Sequence, residues 1–543
     1  MATSPVVIKS LAGIKRDGTR FEGDYYVDGQ WVRFQRGLPR KIFGYQNVTD
    51  YLAEVCRGLK TFTENGITYV HVGSASYIQL LTLNEFASAS AVQDRTPLSL
   101  TQNVNNLWQF DVLYDSISLV PSNKIVAQVA PNAGSLSNTT DAQLFYGDLR
   151  TTDRLTPLTL PAGVDGSGGV CVLHPYLTIF GKDGSIGWSV PGNPADLTGT
   201  GSGNARIAAQ KLVRGLPLRG GPGNAPAGLY WSLDAVVRAS YVGSTQIFQF
   251  DTISSNSSIL SAASVIEHDG VYYWCGTDRF IFFNGVVRDL PNNLNINWFF
   301  DGLNREAAQR VFAFKVPRFG EIWWCYPRGT ATECTHAVIY NVRENIWYDT
   351  ALPNDGRSAG EFATTFGAPF LTGVQLNTSR IAPGIRTTQT GIIRTTQDGN
   401  VRITWAGNSY KLWRHEVGVN EVDISEINAV ESFFETADLS ALVTQNHEKS
   451  LRCTMIEPDF VQVGDMSVAI HGRANARSVE VETEPHVFPD NATTPYEQVV
   501  FFKDIRREMR FRFTSNTING DYQMGQVIAH LEEADGTVLG GVT

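Results

Sequence analysis

The stretch VYYWCGTDRFIFFNG, Val271 to Gly285, holds two short runs of aromatic and β-branched residues on either side of a Gly276–Arg279 break, then Asn284-Gly285. Residues of this kind in runs of four or five, bounded by turn formers, specify paired β-strands. Working outward, the pattern recurs. EIWWCY (Glu321 to Tyr326), HAVIY (His336 to Tyr340) and Ile346-Trp347-Tyr348 give three more strands downstream. Upstream, YLTIF (Tyr176 to Phe180) faces IGWSV (Ile186 to Val190) across Lys182-Asp183-Gly184, and Leu229–Trp231 leads into Val236–Tyr241 and Gln246–Phe250.

Asp-Gly and Asn-Gly pairs punctuate the chain at 17–18, 28–29, 65–66, 183–184, 269–270, 284–285, 398–399, 519–520 and 535–536. Both central residues of a type I′ turn need positive φ, which Gly adopts freely and Asn or Asp tolerates, so each pair is a hairpin signal. No long amphipathic helix competes; the best short candidates are Asn304–Val311 and Glu426–Ala437. Strand clusters recurring roughly every 40 to 50 residues, each with aromatics and a tight turn, predict an all-β chain built as a β-propeller. An array of β-sandwiches is the competing arrangement.

The expected layout is an N-terminal docking segment with the first strands (1–50) and a propeller over 51–429. A C-terminal antiparallel β unit (430–543) follows, either a final blade or a small domain. Within the propeller, 193–228 is rich in Gly and Pro and is expected as an exposed loop or insertion, and 366–398 as extended, edge-like chain. In the C-terminal part, Met466–His471, Val479–Thr483, Val499–Phe502, Met509–Phe513 and Gln526–Leu531 mostly alternate apolar with polar residues, which implies one buried and one wet face.

The composition limits function. No apolar run approaches the roughly 18 residues of a membrane-spanning helix, and Met1–Ser10 lacks the pattern of a secretory signal. Six cysteines, none in CxxC spacing, read as buried free thiols. A net charge of −10 disfavours a protein that coats nucleic acid, whereas an acidic wall suits a conduit that must not hold phosphates.

Catalytic signatures are missing. HExxH and the phosphate loop are absent, and the histidines, His471 among them, are scattered singly. The one GxSxG match, Gly356 to Gly360, follows the loop-like ALPND instead of the apolar strand a nucleophile elbow needs. The expectation is therefore no enzyme, with no catalytic residue, cofactor or metal ligand assigned. Two basic clusters stand out in an acidic chain. Lys15, Arg16, Arg20, Arg33, Arg36 and Arg40 near the N-terminus, with Arg510 and Arg512 near the C-terminus, are the candidates for docking onto an acidic neighbouring subunit. By alternation with Met509, Phe511 and Phe513, the last two are expected on one wet strand face.

Two stretches resemble a known family. GIKRDGTRFEGDYYVDGQWVRFQRGLPRKIFGY (Gly13 to Tyr45) and IRREMRFRFTSNTINGDYQMGQVIAHLEEADG (Ile505 to Gly536) are similar to tail hub or nozzle proteins, of the packaged-DNA stabilisation type, of short-tailed, podovirus-like bacteriophages. VYYWCGTDRFIFFNG, EIWWCYP and NVRENIWY are similar to the propeller blades of that family. The resemblance implies a virion structural protein, made in the host cytoplasm and forming the distal nozzle of the tail, commonly as a hexameric ring below the portal and adaptor rings. It would retain packaged genome and let DNA pass, without sequence preference, at ejection; tail fibres or spikes are further partners. The alternative reading is a propeller that binds or hydrolyses glycans at the host surface.

Overall fold

The structure, a computed structural model, describes residues 4–19, 24–131, 142–218, 225–243, 246–376, 409–424, 426–440, 450–474, 477–490 and 499–534. Among these, six consecutive four-stranded antiparallel sheets follow one another in sequence order, and each is a simple meander. Their first strands are Cys56–Glu64, Asn106–Asp115, Gly169–Leu173, Leu212–Pro217, Ile266–His268 and Phe312–Val316. A seventh sheet starts with Arg357–Ala363, Ala368–Gly373 and Tyr410–His415, and takes its fourth strand, Tyr45–Leu52, from the N-terminal part of the chain. The first strands pack side by side around an axis, the fifth joining its neighbours through the 3₁₀ turn Ala262–Ser264, and the seventh meets the first. The chain is an all-β propeller whose last blade is zipped shut by an early strand.

The decisive stretch behaves as its residues dictate. Val271–Cys275 pairs with Phe280–Phe283 in the middle of the fifth blade, and its aromatics are buried against both neighbouring blades. Indole N–H groups staple the seams between blades. Trp108 Nε1 donates to the Ser74 carbonyl at 2.7 Å, Trp324 Nε1 to Ser264 at 2.9 Å and Trp347 Nε1 to Pro291 at 2.8 Å. A buried indole needs such a partner, and here it is the backbone of the preceding blade or connection.

Asn65-Gly66 and Asp269-Gly270 make the expected turns, with φ of 51° and 78° and of 51° and 80°. Asp28-Gly29 lies inside the strand Asp28–Gln30 instead. A Cβ on Gly29 would come within 2.8 Å of the Ile14 and Val32 side chains, so this glycine serves close packing. Asp398-Gly399 and Asp535-Gly536, and most of 366–398, lie outside the described residues.

Two expectations are corrected. The Gly- and Pro-rich stretch 193–228 carries Gly203–Arg206, the outer strand of the third blade, and Leu212–Pro217, the inner strand of the fourth. The short apolar run Leu212-Val213 is enough to anchor it, both residues being fully buried. Asn304–Val311 forms a 3₁₀ helix (Arg305–Arg310), but Glu426–Ala437 yields the strands Glu426–Asn428 and Ser432–Glu435, the latter held between strands on both sides. One α-helix, Ile296–Gly302, was not anticipated; the Asp17 carboxylate accepts the Asn297 and Trp298 amides at its start.

The C-terminal β unit is a separate two-sheet sandwich and no blade. One sheet orders Val500–Arg506, Ser450–Val463, Asp521–Ala534, Leu38–Lys41 and Val32–Gln35, with Ser4–Ile8 also on Asp521–Ala534. The other orders Asp28–Gln30, Ser432–Glu435, Glu508–Ser515, Met466–Arg473 and Val481–Glu482, with His486–Phe488 beside Met466–Arg473. Ser4–Ile8, Asp28–Gln30, Val32–Gln35 and Leu38–Lys41 thus supply strands of this sandwich, while Leu11–Ile14 and Tyr25–Tyr26 pair with each other in a small parallel sheet of their own. The core between the sheets runs without a break into the sixth and seventh blades through Phe314, Trp323, Tyr348 and Trp413.

Candidate functional site

The eight basic candidates divide sharply once placed. Arg33 is completely buried. Its guanidinium meets Glu321 at 2.9 Å, Glu416 at 2.6 and 2.9 Å, and stacks 3.7 Å over the Phe319 ring. Burial alone would depress it, and the two carboxylates outweigh that and hold it above the usual arginine range. Arg16 spans Asp349 at 3.0 Å and Asp28 at 2.6 Å. Arg510, also completely buried, meets Glu435 at 2.7 Å and Glu480 closer still. These three join parts of one chain, the first two tying the sandwich to the sixth and seventh blades. Docking by Arg33 and Arg510 is corrected on that ground: a cation with no exposed surface does not reach a neighbour. The strand face expected to be wet is instead largely covered: Arg510 is completely buried against Glu435 and Glu480, and Arg512 is half-buried.

The rest remain nearer the surface. Arg36 is exposed, in a tight turn whose Arg36 and Gly37 amides donate to Glu344 at 2.7 and 3.0 Å. Arg40 is half-buried, donating to Gln35 at 2.8 Å and lying 5.2 Å from the Phe43 ring. Arg512 is half-buried with its guanidinium 3.7 Å over Phe433, and Lys15 is half-buried with its amide on the Tyr26 carbonyl at 2.9 Å. Arg20 lies outside the described residues.

The second feature is the axial cavity of about 760 Å³, lined by the inner strands of the blades. Its charges are tied across blades. Lys60 of the first blade meets Glu361 of the seventh at 3.1 Å, and Glu361 also accepts the Thr61 hydroxyl at 3.0 Å. Arg57 makes two 2.6 Å bonds to Glu333, which Arg310 also reaches at 3.0 Å; Lys315 meets Glu267 at 3.2 Å. No sequence signal marked these pairs, because each joins residues far apart in the chain. These pairs brace neighbouring blades around the lumen, whose lining also holds Arg214, 3.4 Å from Gln109 Oε1.

Two chemical alternatives were tested against geometry. Ser358 of the GxSxG match lies in the inner strand Arg357–Ala363, its hydroxyl 2.9 Å from that of Thr372, so there is no nucleophile elbow at this match. Glu435, His471 and Glu480 converge closely enough to hold a cation. The Arg510 guanidinium already sits between the two carboxylates, however, and a divalent ion there would face a buried positive charge.

No protein-family model matches the chain, and no curated protein matches it. Among solved structures, the WD40 repeats of RRP9 share 8% identity, covering 69% of this chain and 99% of that one at a TM-score of 0.38. U3-55K shares 6%, covering 68% and 98% at 0.35. The fold itself rests on the strand pairing and ring closure described above. Those features define an all-β propeller protein with a sandwich built from both ends of its chain.

Proposed function

We propose that this chain is a structural protein of a short-tailed phage tail, forming the distal nozzle that retains packaged genome and passes it at ejection. One observation carries the reading. The two stretches that resemble that family, 13–45 and 505–536, lie at opposite ends of the sequence yet interlock strand by strand in one sandwich, with Gln523 opposite Arg40 and Glu435 paired with both Asp28 and Arg512. A resemblance split between two distant stretches is accounted for when both fold into one unit.

The lumen of the propeller does not serve as the DNA path in this reading. Ion pairs between neighbouring blades brace its wall, Lys60 to Glu361 and Lys315 to Glu267, and a cavity of about 760 Å³ is too small to hold a duplex. The conduit is enclosed by several copies arranged as a ring, six in the family resembled, under the portal-side adaptor. Exposed Arg36 and half-buried Lys15, Arg40 and Arg512 are the basic candidates that stand nearest the surface for that contact among the described residues. The glycan reading is the weaker one. Of the described tryptophans all are buried except Trp298, which is half-buried with the Arg328 guanidinium 3.6 Å over its ring, so no open indole platform is offered to a sugar. Negative-stain images of virions labelled with an antibody to this chain test the proposal. A labelled ring at the distal tail is expected, and labelling elsewhere, or hydrolysis of host polysaccharide by the purified chain, overturns it.

A further inference from the structure

Among the described residues, every cation lining the propeller lumen is tied to a carboxylate except one. Arg57 and Arg310 share Glu333, Lys60 meets Glu361 and Lys315 meets Glu267. Arg214, on the inner strand Leu212–Pro217 of the fourth blade, lines the same lumen. A guanidinium carries five N–H donors. The one acceptor that Arg214 reaches is Gln109 Oε1 of the second blade, at a long 3.4 Å, and its buried Nε has no partner. Gln109 is not free to come closer, because its amide nitrogen is held by the Gly168 carbonyl at 2.7 Å and the Val213 carbonyl at 3.2 Å. Asp111, the other carboxylate of this wall, is turned to the backbone, accepting the Val112 amide at 2.9 Å and the Val172 amide at 2.8 Å. Burial pushes the Arg214 guanidinium below the usual arginine range, and the anionic groups around it offset only part of that. Lys60 of the first blade stands near enough for the two cations to repel. The lumen is open to solvent where the inner strands end, since Pro217, Thr364 and Thr365 line it and are exposed.

We propose that Arg214 anchors a binding site for a small phosphate-bearing anion inside the lumen, with Lys60 as the second cation. The inference is independent of the tail reading, in which the lumen carries no DNA. An oxyanion between the two groups supplies the acceptors that Arg214 lacks and relieves its repulsion with Lys60, whose ammonium keeps donors to spare beyond the one given to Glu361. Cations approaching from two blades suit a tetrahedral phosphate, whereas a planar carboxylate is matched by a single guanidinium fork. Apolar walls at Val112, Val170 and Val172 strengthen each charged contact by keeping the local dielectric low. A cavity of about 760 Å³ lies within the usual range for small-molecule sites, so the phosphate has room for an organic body beside it.

The test is equilibrium dialysis of the full chain against radiolabelled inorganic phosphate at constant ionic strength. Saturable binding of one phosphate per chain is expected, with a melting temperature that rises as the site fills. Arg214→Gln is expected to weaken binding by at least about tenfold and to lose the thermal shift, and Arg214→Lys, which keeps the charge without the fork, to fall between. Arg36→Gln, on the surface, should bind as the wild type does. Wild type without saturable binding overturns the proposal, as does an Arg214→Gln protein, folded by circular dichroism, that binds equally well. Should Arg214→Gln fail to fold, Arg214→Lys carries the comparison, and undiminished binding by it overturns the role of the fork. Acetate that displaces phosphate at equal concentration overturns the choice of phosphate over carboxylate.

Discussion

At the scale of single residues, the charged groups that looked most available are the most deeply committed. Arg33→Met strands Glu321 and Glu416 without their cation, and losing one partner of a buried ion pair costs about 3–5 kcal/mol. A urea titration of the purified variant should show this, while Arg36→Glu should stay within about 0.5 kcal/mol of wild type. A charge-reversal test of docking is informative at Arg36 and Arg40 and misleading at Arg16, Arg33 and Arg510. Histidine sets the acid limit. His71 is held down to about 3 by burial and by Arg95, 3.0 Å away, and His415 well below its ordinary value by burial and by Arg357, at 3.1 Å. Both stay neutral in the fold and take a proton in the unfolded chain below about 6.5, so each contributes stability that is lost as pH falls through that value. Between pH 7 and 5 the loss is about 2 kcal/mol per histidine. His71→Gln should flatten the fall in unfolding free energy by about that amount, and an unchanged slope would remove His71 from the account.

At the scale of elements, the seams between blades depend on single hydrogen bonds from tryptophan. Trp324→Phe keeps the ring but orphans the Ser264 carbonyl in a buried seam, at a cost of about 1–3 kcal/mol. Hydrogen exchange should quicken first in the fifth and sixth blades; acceleration confined to the third would contradict the seam argument. The elements were also what the sequence made most legible. VYYWC, EIWWCY and HAVIY became strands near their expected bounds because β-branched and aromatic residues flanked by turns act locally. What was hidden was pairing over distance. Nothing in Tyr45–Leu52 says that its partner is Tyr410–His415, and the clusters around Arg33 and Arg510 read as surface because the carboxylates that bury Arg33 lie 288 and 383 residues away. Glu426–Ala437 misled because Ser432–Glu435 is too short for a two-residue period to outweigh a helical one. The lumen pairs were hidden because each joins neighbouring blades, and the Lys60–Glu361 pair exists only once the first and seventh blades meet.

At the scale of the whole molecule, the closing strand and the interlocked sandwich make the chain fold as a loop of dependencies. Ser4–Ile8 pairs with residues 527–531, and Tyr45–Leu52 must wait for Tyr410–His415. A ribosome adding about 5–20 residues per second therefore holds the earliest strands without partners for roughly half a minute to two minutes, with unpaired edges that invite aggregation. Chains stalled before residue 527 should leave 4–8 open to protease while the second to fifth blades already resist it, and protection of 4–8 in such chains would refute the order. Time is thus written into this topology: the protein is finished from its two ends last, and whatever keeps those ends apart during synthesis also decides how much of it survives.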